Sequence, residues 1–201
     1  MNPFRRHLGL AACLRMINVD TDLIIPKQYL KNVTRKGLGE GLFRELKYLD
    51  DGTLDPGFIL NRTEFAQTSI LIAGDNFGCG SSREHAQWAL LDSGISCIIS
   101  SSFADIFYSN CINNGILPAR VSSTDLDLLL SLSDDRVPLE LSVDLDIRRI
   151  GLPDGNEVPF GIGDGDRQIL MEGRDAIART LALATDISEF RETRSAVQPW
   201  L

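Results

Sequence analysis

The feature that most restricts how this chain can fold is a pattern that recurs between Thr68 and Leu132. A short apolar run, Ser69 to Ala73, is followed by a glycine-rich break and a stretch with helical composition, Ser82 to Ser93, closed by Gly94. A second apolar run, Ile95 to Ser100, leads into a helical stretch, Phe103 to Asn113, closed by Asn114-Gly115. A third run, Ile116 to Val121, is followed by a third helix, Thr124 to Leu132. Runs this short and this apolar suit strands buried on both faces. Parallel neighbours need a crossover that returns the chain to the same edge, and a helix is the usual one. The expected class is therefore α/β, a parallel sheet flanked by helices.

The C-terminal third has a different period. Leu139 to Ile150 alternates apolar and polar residues, with Leu139, Leu141, Val143, Leu145 and Ile147 on one side, and reads as one half-buried strand. Pro153-Asp154-Gly155-Asn156 is a hairpin turn before Val158 to Ile162. An added β-hairpin layer is expected there, then helices over Asp166 to Met171 and Ile187 to Ser195. Near the N-terminus, order is expected from about Ala11. Leu23-Ile24-Ile25-Pro26 is a short run stopped by proline, and Tyr29 to Leu42 is basic and glycine-punctuated, as in a mobile surface loop. Residues 1–201 are expected to form one domain, with about 172–201 as a helical docking tail.

Charge and composition remove several function classes. With 20 basic and 28 acidic residues the net charge is −8, which opposes general nucleic-acid binding. No apolar run approaches membrane-spanning length, and Leu8 to Leu14 is too short and glycine-broken for a secretion signal, so a cytoplasmic protein is expected. Cys13, Cys79, Cys97 and Cys111 include no CxxC pair, and His7 and His85 are the only histidines. A self-contained zinc or iron–sulfur site is not expected from that set. Cys97 and Cys111 fall in apolar elements and read as core.

Chemistry concentrates in Gly74-Asp75-Asn76-Phe77-Gly78-Cys79-Gly80-Ser81-Ser82-Arg83-Glu84-His85, between a strand and a helix. Gly78 and Gly80 permit backbone geometry closed to other residues and leave room for a ligand. A helix beginning near Ser82 would aim unpaired N–H groups forward, where a carboxylate fits, and Arg83 adds a bidentate partner. The same residues also spell a capping box, with Ser81 as N-cap and Glu84 at the third helical position, so local physics leaves both readings open. GxSxG, a phosphate loop ending in Gly-Lys-Ser/Thr, and GxGxxG opening the helix are all absent.

The run GDNFGCGSSREHA (Gly74 to Ala86) resembles the signature of the mobile, swivelling domain of the aconitase superfamily. Three further blocks are similar to its isopropylmalate isomerase branch: NVDTDLIIPKQYLK (Asn18 to Lys31), VTRKGLGEGLF (Val33 to Phe43) and FADIFYSNCINNGILP (Phe103 to Pro118). The resemblance implies a swivelling β/β/α domain that works with a large partner subunit. That partner would hold a [4Fe-4S] cluster through three cysteines, its open iron site binding a substrate hydroxyl and carboxylate, while this chain binds no cofactor. The implied reaction interconverts 2- and 3-isopropylmalate through isopropylmaleate, in leucine biosynthesis.

By the same match Ser81 is the base, and Gly80, Ser82 and Arg83 hold a substrate carboxylate. Asp22 reaches the active site, its alternative being a turn or cap aspartate. Thr34 and Arg35 lie near the substrate's variable group, their alternative being solvated loop polarity. Related substrates (homoaconitate, citraconate or a dimethylmalate) remain the nearest competitors, and a non-catalytic anion-binding module is the competing class.

Overall fold

The computed structural model describes residues 1–31, 34–174, 176–198 and 200. Its centre is a seven-stranded sheet in the order β4-β3-β2-β1-β5-β6-β7. The strands are β1 (Arg6–Leu14), β2 (Thr68–Ala73), β3 (Cys97–Ser100), β4 (Leu117–Arg120), β5 (Leu139–Asp144), β6 (Arg149–Gly151) and β7 (Glu157–Pro159). Strands β1 to β4 run parallel. Their connections carry α1 (Thr21–Ile24) and α2 (Arg44–Lys47) between β1 and β2, α3 (His85–Asp92) between β2 and β3, and α4 (Asp105–Asn114) between β3 and β4. Helix α5 (Ser123–Leu132) precedes β5, and α6 (Asp164–Glu172), α7 (Ala176–Ala182) and α8 (Ala184–Val197) complete the chain.

The α/β class expected from the alternation holds, and the hairpin joins the same sheet. β5 pairs antiparallel with β1, and β6 and β7 extend it antiparallel. The sheet curls until its two edges touch: Gly161, just beyond β7, donates to the Arg120 carbonyl of β4 at 2.6 Å. Strand periodicity divides the core into two clusters. Ala12, Leu14, Leu71, Ala73 and Ile98 face α3, α4 and the buried Leu38, Leu42 and Phe43. Ala11, Cys13, Ile70, Ile72, Cys97 and Ile99 face the opposite way, toward Leu141, Val143, Ile150, Val158 and Phe160, with α5 and α6 contributing Leu126, Leu129 and Leu170.

Three local expectations need correction. Order begins before Ala11, because β1 starts at Arg6 and Phe4 is already buried. Leu139 to Ile150 is two strands. The Asp144 carboxylate accepts from the Asp146 N–H at 2.9 Å, and Arg148 adopts a left-handed φ of 56°, which turns the chain and leaves Ile147 exposed. The stretch read as a mobile loop is docked from residue 38 on: Leu38 and Leu42 are buried, and the Gly39 N–H donates to Asp92 Oδ2 at 2.8 Å at the end of α3. Residues 32 and 33 of that stretch lie outside the described residues.

Candidate active site

The segment after β2 lies alongside the segment after β1. Gly74 N–H donates to the Met16 carbonyl (3.0 Å), Asn18 N–H to Asp75 (2.9 Å), Gly78 N–H to Val19 (2.7 Å) and Thr21 N–H to Cys79 (2.9 Å). Asn76 Nδ2 also donates to Asn18 Oδ1 at 2.8 Å. These bonds continue the parallel pairing of β1 and β2 past the sheet's carboxyl edge, so the two sequence blocks arrive together. Gly78 makes the approach possible. Its φ is +78°, and a Cβ there would stand 2.0 Å from the Phe107 ring of α4. Gly80, at φ +99° and exposed, then turns the chain so that Ser81 faces α1.

The single turn of α1 serves two partners. Asp20 is its N-cap, the carboxylate accepting from the Leu23 N–H at 2.7 Å. Thr21 meets Ser81 twice: the Ser81 N–H donates to Thr21 Oγ1 at 3.1 Å, and the two hydroxyl oxygens lie 3.0 Å apart. Asp22 pairs with the Arg83 guanidinium, and Lys27 Nζ lies 3.8 Å from the other Asp22 oxygen. Cap and site roles are thus divided between two aspartates, Asp20 taking the cap and Asp22 the arginine.

The capping box at Ser81 does not form. Helix α3 begins at His85, with Glu84 at the N-cap position and no side-chain cap bond. Ser81, Ser82 and Arg83 stand ahead of the helix in irregular backbone. Thr21 engages the Ser81 hydroxyl and N–H, and the Asn110 side chain of α4 donates to the Ser82 carbonyl at 3.2 Å. These cross-chain bonds compete with one more helical turn.

Arg35 lies elsewhere. Its guanidinium sits 5.1 Å from the Trp88 ring centre, and it lines a cleft of about 440 Å³ with Pro3, His7, Leu91 and Asn114. His7 and Ser96 of that cleft mark the amino-terminal edge of the parallel strands, whereas Ser81 follows the carboxyl edge. Thr34 is exposed, its hydroxyl 3.4 Å from the Lys36 carbonyl. Asp22, Gly80, Ser81, Ser82 and Arg83 are therefore assembled together, and Arg35 is not. Thr21, Lys27 and Asn110 are the neighbours that sequence reasoning passed over. Thr21 stands inside the NVDTD block beside Asp22, and that adjacency was the available signal.

Among the described residues no three His, Cys, Asp or Glu side chains are grouped to hold a metal. Cys13, Cys97 and Cys111 are buried on separate elements, and burial pushes all three thiols up. The described residues do not fit an iron–sulfur cluster. No helix among the described residues is long and apolar enough to cross a membrane.

The Aconitase C-terminal domain model matches residues 1–124. The 3-isopropylmalate dehydratase small subunit of Xanthobacter autotrophicus is 54% identical over 201 residues, covering all of both chains. That of Azorhizobium caulinodans is 51% identical, again over the full length of both. The chain belongs to the 3-isopropylmalate dehydratase small-subunit family. The crystal structure of 3-isopropylmalate dehydratase from Methanocaldococcus jannaschii is similar at a TM-score of 0.69 and 26% identity, covering 92% of this chain and 98% of that one. The small-subunit relatives align over both the glycine-rich loop and the α1 turn that receives it, since each match runs end to end.

Proposed function

We propose that this chain is the small subunit of a hydro-lyase of leucine biosynthesis that interconverts 2-isopropylmalate and 3-isopropylmalate through isopropylmaleate, in the cytoplasm. The observation that carries the proposal is the convergence of Ser81, Arg83 and Asp22 from two distant blocks onto one edge of the sheet, in a chain about half identical to small subunits of that name. A large subunit completes the enzyme and holds the [4Fe-4S] cluster, in keeping with the lack of fit for one here.

Within this chain Arg83 holds a substrate carboxylate. Its five donors allow it to keep Asp22 while binding a second carboxylate, and Asp22 fixes the plane of the guanidinium. Gly80 leaves room beside Ser81, and the Ser82 hydroxyl adds a donor. Ser81 Oγ, as the alkoxide, takes the proton from one carbon as hydroxide leaves its neighbour for the metal that the large subunit would hold, and returns that proton to the second carbon when hydroxide adds to the first. A serine hydroxyl ordinarily keeps its proton near neutral pH, so the anion needs fixed donors and nearby positive charge, and Arg83, two residues along the chain, would supply the charge. The tail beyond residue 174 docks on the large subunit.

The test is reconstitution. The isolated chain should not hydrate isopropylmaleate, and adding the large subunit should restore turnover. Ser81→Ala should lower kcat of the assembled enzyme by about 10²–10⁴-fold without preventing assembly. Turnover by the isolated chain, or an active Ser81→Ala enzyme, would overturn the reading.

A further inference from the structure

The contact between Thr21 and Ser81 carries one step more. Thr21 is only 2% exposed, and the described hydrogen bonds of its hydroxyl both involve Ser81. Of these, the Ser81 N–H is necessarily the donor, which occupies one lone pair on Thr21 Oγ1. If the Ser81 hydroxyl also donated to Thr21, the buried Thr21 proton would face no acceptor among the described contacts, at the cost of an unpaired polar group. The arrangement that satisfies every group has Thr21 Oγ1–H donating to Ser81 Oγ. The Ser81 proton then points away from α1, toward the open side of the loop.

The same direction is the only one compatible with a deprotonated Ser81, since an alkoxide can only accept. A donor held on the charged form favours that form, and the bond strengthens as charge develops. Thr21 cannot drift from this position. Its N–H is bound to the Cys79 carbonyl at 2.9 Å, and Asp20 caps the turn that carries it.

We propose that Thr21 is the positioning residue for Ser81, holding its side chain in one orientation and keeping a hydrogen-bond donor on Oγ while the proton is absent. The inference rests on Ser81 acting as the base.

The test uses the reconstituted two-subunit enzyme. Thr21→Val keeps the shape and removes the donor, and Thr21→Ser keeps the donor. Thr21→Val is expected to lower kcat by about 10²-fold, the scale of losing one donor to a developing oxyanion, with KM nearly unchanged. The rising limb of kcat against pH should move to higher pH, because the base then needs a more alkaline medium to ionise. Thr21→Ser should recover the wild-type profile and most of the rate. A residue needed only for packing would lower the melting temperature and leave the profile in place.

A Thr21→Val enzyme with wild-type kcat and pH profile, measured beside an inactive Ser81→Ala enzyme, would overturn this inference and leave Ser81 as base. An active Ser81→Ala enzyme would overturn the base reading itself. If Thr21→Val fails to assemble, Thr21→Cys replaces it, with a weak thiol donor in nearly the same volume. An intermediate shift supports the proposal and an unmoved profile refutes it.

Discussion

Gly78 shows how much of the site depends on a missing side chain. Its N–H binds the Val19 carbonyl while its α-carbon lies against the Phe107 ring. Any Cβ would meet that ring at 2.0 Å, and the left-handed φ would strain it independently. Both penalties act in the folded state alone. Gly78→Ala is therefore expected to cost about 3 kcal/mol or more in urea unfolding, combining overpacking with backbone strain. A loss below about 1 kcal/mol would mean that the loop and α4 re-pack easily, contrary to the tight approach described.

Where β1 and β2 lie side by side, the tie between them is sensitive to pH. His7 Nε2 lies 2.7 Å from Ser69 Oγ, with the Phe4 ring centre 5.9 Å from the imidazole. Desolvation by burial lowers the His7 pKa below its ordinary value of 6.5. The folded state thus takes up this proton at lower pH than the unfolded chain, which does so near pH 6.5. Near that pH the unfolded state binds more protons, so stability rises with pH. This contribution is complete above pH 6.5 and shrinks as the medium becomes more acid. Melting temperature should fall on acidification from about pH 7.5 to about pH 5.5, and His7→Gln should flatten that fall. An unchanged slope in the variant would assign the acid sensitivity to other groups.

In the whole molecule, the body and the tail are built differently. The last buried residue among those described is Leu170, and all of α8 is exposed. Leu183, Ile187, Phe190 and Val197 nevertheless recur at a spacing that places them on one face, each at least 40% exposed. A chain ending at Arg174 should keep its melting temperature, because it loses no core. Its affinity for the large subunit should fall by at least about tenfold, since covering even one large apolar side chain is worth that much. Unchanged affinity on titration calorimetry would exclude the tail from docking.

Periodicity, glycine punctuation and turn chemistry are local, and the sequence by itself determined what they control: the α/β class, the β2–α3–β3–α4–β4 alternation, the turn at Asp154-Gly155 and the concentration of chemistry between Gly74 and His85. It also showed that cluster-ligand spacing is lacking, because that too is a property of order along the chain. Three things needed the tertiary structure, and each is a contest between local preference and distant partners. Ser81 looked like an N-cap until Thr21, sixty residues away, took its hydroxyl and N–H and delayed the helix to His85. The basic stretch before Leu42 looked mobile, but Leu38 and Leu42 bury themselves and Arg35 settles on Trp88, away from Ser81. The hairpin looked like an added layer, yet β5 pairs with the edge of β1 and the sheet curls until Gly161 reaches Arg120. Local sequence describes what a segment can do, whereas the partner it meets across the fold settles which of those options it takes.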